Sequence, residues 1–381
     1  MIKARIALLV LGITSAILGA NFSGISALVA LEEISVESSK VCKECHVEIY
    51  NSWRNALHAM SMDDPIFMAS YMESYFESRG ESKSICLTCH APVTRMNNDY
   101  DLKNEVTREG VSCDFCHTIK EVFPGRKGNP FEFDKQKTKR GPLSNTSSPA
   151  HKTEASSLFK SSTFCAGCHE YINDAGVNVL GTFSEWQNSP YSKEGIECQN
   201  CHMPLTEGLT VDSKIKSPSQ KKINLHAISA AHSTEQLQKA AKVEIKRIDH
   251  DNNFIYVEVD VINIGSGHLI PTGIPTRKLV LWAELRTPNE YVADKRVYQR
   301  QLKNKEGKIL ERIHDILLHA ADVVIDTRLK PRETRTERFI FARPKNKKIT
   351  ITARLEYLYV ANVMSPTEMR VDMAVHSKEI K

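Results

Sequence analysis

The sequence predicts an α+β protein, with a helical, loop-rich part followed by a β-sandwich. Three observations carry that expectation. All 10 cysteines fall between Cys42 and Cys201. Turn-rich stretches such as 124–130 and 141–149 break the same part into short segments. Beyond residue 240 there is no cysteine, and apolar residues alternate with polar ones at period two. The expected division is 1–30 as a signal peptide or signal anchor, 31–240 as the cysteine-rich domain and 241–381 as the sandwich. A chain of 381 residues, 41% hydrophobic and 25% charged, has the composition of two or three folded domains and excludes a disordered tail or a collagen-like rod. Its net charge of +5 is too small and dispersed to imply a nucleic-acid partner.

Lys3 and Arg5 precede a stretch without charge over 6–30, which predicts export to the periplasm or the cell exterior. Cleavage near Ala20 or Ala30 is favoured, although a run of about 25 apolar-leaning residues is also long enough to tether the protein to a membrane. The polar segment 206–224 predicts an exposed loop. Ser233-Thr234-Glu235-Gln236 has capping-box spacing and predicts a helix through about Lys242. Strands are expected over 254–264, 278–286, 322–329, 337–342 and 349–359.

The cysteines form five pairs with two residues between, each followed directly by histidine: Cys42/Cys45-His46, Cys86/Cys89-His90, Cys113/Cys116-His117, Cys165/Cys168-His169 and Cys198/Cys201-His202. This is the attachment sequence of c-type haem. Two thiols at that spacing bond to the two vinyl groups of one porphyrin, and the adjacent imidazole is held against the iron. A zinc ribbon needs no histidine after each pair, and a thioredoxin-like site needs a single pair. Five covalently attached haem c groups are therefore expected.

Nine histidines remain, and five of them are candidate distal ligands: His58, His151, His226, His232 and His268. If 45–60 is one helix, His58 lies about 18 Å along the axis from His46. Two ligands of one iron are only about 4 Å apart. His58 must then serve another haem or none. His226 and His232 flank the apolar run 227–231, His151 precedes the fourth attachment site, and His268 sits in the Gly-rich, Pro-containing turn 265–273. His250, His314, His319 and His376 read as ordinary strand or surface residues.

The run from Cys42 to Trp53, with His58 after it, resembles the opening motif of the multihaem family typified by the tetrahaem electron carrier of ammonia-oxidising bacteria. Phe183-Ser184-Glu185-Trp186, Ser189-Pro190-Tyr191 and the segment 198–204 resemble later parts of related cytochromes, and the run from His226 to His268 resembles longer relatives with an appended β-domain. The resemblance implies electron transfer through closely packed haems, with His58, His151, His226 and His232 at positions where relatives place distal ligands. The motif count departs from the namesake, five against four.

The leading expectation is a non-catalytic electron relay, because two imidazoles on each iron leave no place for substrate. Redox proteins or a membrane quinol-oxidising complex would be its partners. Two alternatives stay open: an oxidoreductase acting on hydroxylamine, nitrite or a similar small molecule at a five-coordinate haem, and a homo-oligomeric, extracellular conducting filament.

Overall fold

Strict alternation along Phe254–Asn263 buries Ile255, Val257, Val259 and Val261 on one face and leaves Phe254, Tyr256, Glu258 and Asp260 exposed or half-exposed on the other. That strand is the centre of a three-stranded antiparallel sheet between Thr334–Ala342 and Ala241–His250. A second antiparallel sheet runs in the order Tyr291–Tyr298, Arg277–Arg286, Ile349–Val360, Glu368–Ile380. Leu279, Leu281, Ala283 and Leu285 from the second sheet share one apolar cluster with Ile245, Val257, Phe339 and Phe341 from the first. Burial of these side chains is the main force holding the C-terminal part together.

The computed structural model describes residues 34–215, 221–345, 348–360 and 368–380. The expected signal or anchor over 1–30 lies outside the described residues. Residues 34–381 fall in a single compact unit.

Several strands differ from expectation. The strand expected over 322–329 stops at Asp326 and joins a small sheet with Arg300–Lys303 and Ile309–Leu310. It stops there because Arg328 turns inward to ion pairs and Leu329 leaves to bridge Ile270. Tyr291–Tyr298 and Glu368–Ile380 were not expected. Both are edge strands, whose charged residues blur the alternation. A helix over Ile313–His319 was also not expected, and it buries His314, which had read as a surface or strand residue. His376 likewise does more than face solvent, since its Nδ1 accepts from the Ile245 backbone N–H at 2.8 Å. The ends of the expected loop 206–224 pair as strands Leu205–Glu207 and Lys222–Asn224.

The first part is built from short helices and two-stranded ribbons. The single helix considered for 45–60 does not form. Ser39–Lys43 and Val47–Trp53 are separate helices, divided at His46, whose backbone is non-helical. The second ends because the Trp53 indole donates to Val111 O at 2.9 Å, and His58 O accepts from Val111 N at 2.8 Å instead of from a helical turn. The expected loops 124–130 and 141–149 are present, and short ribbons flank them. Ile119–Val122 pairs with Phe131–Phe133 around 124–130, and Lys139–Gly141 pairs in parallel with Thr153–Ala155 around 142–152.

The two parts are tied by buried polar contacts. Glu185, on the helix Thr182–Gln187, accepts from Thr272 Oγ1 at 2.7 Å and from the Arg328 guanidinium. Arg328 is also forked onto Asp326, at 2.8 Å to each oxygen. On the surface, Arg332 makes a bidentate pair with Glu194, at 2.6 Å for each bond, and lies over Tyr191.

Candidate haem sites

Four of the five attachment motifs lie wholly on one helical turn each, in Ser82–His90, Cys113–His117, Thr163–His169 and Cys198–His202, with the histidine as the last helical residue. Residues three apart on a helix share a face, so both thiols and the imidazole of a motif project to the same side. Local capping fixes these turns. Ser112 Oγ accepts from Phe115 N, and Glu197 forms a capping box with Asn200. Cys42 lies in Ser39–Lys43, with Cys45 and His46 directly after it.

Four of the five motif imidazoles are held in one tautomer. Nδ1 of His46 donates to Thr210 O at 2.5 Å, that of His202 to Ser229 O at 2.7 Å, that of His90 to Ser61 O at 3.2 Å and that of His117 to Arg140 O. Of the candidate distal residues, His226 is oriented in the same way by Asn224 O at 2.7 Å, His268 by Leu269 O at 2.9 Å and His151 by Lys152 O at 3.2 Å. A proton on Nδ1 leaves the Nε2 lone pair for a metal, and such second-sphere bonds set ring orientation. Burial pushes the imidazoles of His58, His90, His117 and His268 down to about 4 and that of His169 to about 3, so the neutral, ligating form prevails near neutral pH.

Three candidate distal histidines face three motif histidines. Ring centres are 6.3 Å apart for His46 and His151, 6.3 Å for His58 and His169, and 6.4 Å for His117 and His226. Two imidazoles sharing one iron, with nitrogens about 2 Å from the metal and ring centres about 1 Å beyond them, are separated by about 6 Å. The donor pairs therefore fit bis-histidine haem. His268 is half-buried and lies within electrostatic reach of His202. His232 is placed differently, with its Nδ1 3.4 Å from a carboxylate oxygen of Asp64. His90 is stacked face to face on Phe67, with ring centres 3.6 Å apart.

The motifs also approach one another. Cys42 lies close to Cys113, Cys89 to Cys168 and Cys165 to Cys198. Cys116 lies within electrostatic reach of Cys165 and Cys168. Among the described residues, no group of three or more His, Cys, Asp or Glu side chains converges as a metal-ion site.

Residues 41–118 match the family described as cytochrome c554 and c-prime. A penta-heme cytochrome c552 from Thermochromatium tepidum shares the fold. It is 22% identical, with a TM-score of 0.71 over 92% of this chain and 100% of that chain. A β-glucosidase from Kluyveromyces marxianus aligns over 38% of this chain and 14% of that chain, at 12% identity and a TM-score of 0.16, which is too distant to carry an argument. No curated protein matches. Motifs and family match support a multihaem c-type cytochrome with covalently bound haem c, and the structural likeness shows a shared fold.

Sequence reasoning missed the acceptors that orient the rings. They are backbone carbonyls, which any residue supplies, so they leave no sequence signal. It also missed Phe67, Asp64 and Arg277, which surround His90.

Proposed function

We propose that this chain is an exported pentahaem cytochrome that relays electrons between redox partners through closely packed, mostly bis-histidine haems. The single observation carrying the proposal is the set of three imidazole pairs at the separation expected across one iron. The thiol contacts between motifs support close haem packing, because each thiol marks the edge of its own porphyrin. In this proposal the path runs from the first motif to the third and from the third to the fourth, with the second and fifth both beside the fourth. The protein's part is to hold each imidazole in its ligating tautomer and to exclude water around it. In this proposal the chain works in the periplasm or outside the cell, with a redox protein or a membrane quinol-oxidising complex as donor. Its kinship is with the tetrahaem carriers, extended by a fifth motif and a β-sandwich.

Intact mass of the secreted protein should show five added haem groups, and electron paramagnetic resonance of the oxidised form should be dominated by low-spin iron. Fewer than five haems would defeat the proposal. A second reading, catalysis on a small nitrogen compound, is favoured by the engagement of His232 with Asp64 rather than with a motif imidazole. It predicts a substantial high-spin signal that nitrite or hydroxylamine alters.

A further inference from the structure

Arg277 opens the strand Arg277–Arg286. Its Nη1 donates to Thr272 O at 3.2 Å, and its guanidinium lies 5.3 Å from the centre of the Tyr359 ring. Its Nε is buried with no hydrogen-bond partner. Among the described residues no carboxylate comes within ion-pair distance of it. Asp64, the acidic group nearest this region by its electrostatic partners, is occupied with His232 and with capping Phe67 N at 2.8 Å. The loop is shaped around the arginine, since a Cβ on Gly273 would sit 2.5 Å from Arg277 Nη1, at a backbone φ of +87° that already favours glycine. A guanidinium with a buried, unbonded donor and no counter-charge is costly, and a missing anion resolves both faults.

Arg277 lies within electrostatic reach of His90 and His169, two motif imidazoles, and of His232 and His268. The anions that belong to such a region are porphyrin propionates. We propose that Arg277 is the counter-ion of a propionate on the haem attached at His90 or His169, with Nε donating the charge-assisted hydrogen bond, so that the β-rich part raises the potential of a haem carried by the first part. This rests on the pentahaem proposal. A fixed positive charge favours the reduced haem, which carries one positive charge fewer.

The test is a spectroelectrochemical titration of holoprotein already shown by mass to carry five haems. Arg277→Leu should lower one midpoint by about tenfold in the reduction equilibrium, which is 59 mV for a one-electron couple. Arg277→Lys should retain most of that potential, and the low-spin signals should persist in both. If Arg277→Leu does not mature, Arg277→Gln provides the same charge removal. Unmoved midpoints in a five-haem charge-removal variant would overturn the role of Arg277 alone, whereas a wild type lacking five haems would instead defeat the proposal beneath it. A wild-type midpoint that shifts with added chloride or nitrite, and ceases to do so in the variant, would assign Arg277 to a free anion and also overturn the inference.

Discussion

His58 and His169 lie with ring centres 6.3 Å apart and planes nearly perpendicular, at 87°. They come from opposite ends of the attachment region. The carbonyl of His58 is fixed by Val111 N, and His169 is the last residue of the helix Thr163–His169. His58→Met should therefore change the haem attached at Cys165 and Cys168 and spare the one at Cys42 and Cys45. Perpendicular imidazoles leave the iron π orbitals nearly degenerate, so the affected signal should be the most anisotropic low-spin component. Electron paramagnetic resonance of His58→Met, of His151→Met and of the double variant checks this. Two separate and additive losses are expected, and loss of the same component from both single variants would contradict the pairing.

The position of His58 depends on Gly110. Its φ is +67°, and a Cβ there would fall 2.5 Å from His58 O and 2.7 Å from Ala59 O. Backbone on both sides leaves no flexible group to yield. Gly110→Ala should cost about 2 kcal/mol or more and displace His58. A lowered melting temperature with a new high-spin fraction is the expected result, and an unchanged spectrum would show that the turn tolerates the methyl group.

Arg328 and Glu185 form a buried pair between the β-rich part and the helix Thr182–Gln187. Burial raises the Glu185 carboxyl, and the Arg328 charge opposes that rise. Arg328→Met leaves the buried Glu185 without its ion-pair partner, while Asp326 keeps Arg300 at 4.0 Å, and should destabilise the fold by about 3 kcal/mol. Adding Glu185→Gln should recover part of the loss, because the stranded charge is then removed. Denaturant melts of the single and double variants check this.

What the sequence made legible follows from how local each feature is. The attachment motifs are covalent and contiguous, so ten cysteines and five histidines were visible at once. The central strands were visible because Phe254–Asn263 alternates over its whole length. Pairing of His46 with His151, or of His117 with His226, joins residues far apart in the chain and has no local signature. The helix division at His46 and the edge strand Tyr291–Tyr298 were hidden because tertiary contacts and solvent exposure, rather than propensity, decide them. Arg277 looked like any strand-opening arginine, since its unbonded Nε exists only in the folded arrangement.

In the proposed relay the fourth motif occupies the junction of the path. Cys168 meets Cys89 of the second motif, Cys165 meets Cys198 of the fifth, and both lie near Cys116 of the third. The first motif meets the third through Cys42 and Cys113, with His46 within electrostatic reach of His117. Replacing Cys165 and Cys168 with Ala should yield a protein with four covalent haems, in which the first and third remain in contact but are separated from the second and fifth. Rapid reduction by a limiting electron donor should then turn from one collective phase into at least two, with slow exchange between the groups. Removing Cys198 and Cys201 instead should leave the other four haems equilibrating together, because the fifth motif is an end of the path. Stopped-flow absorbance on both four-haem proteins checks this. A single fast phase in the variant lacking the fourth attachment site would show that charge crosses between the groups without that haem.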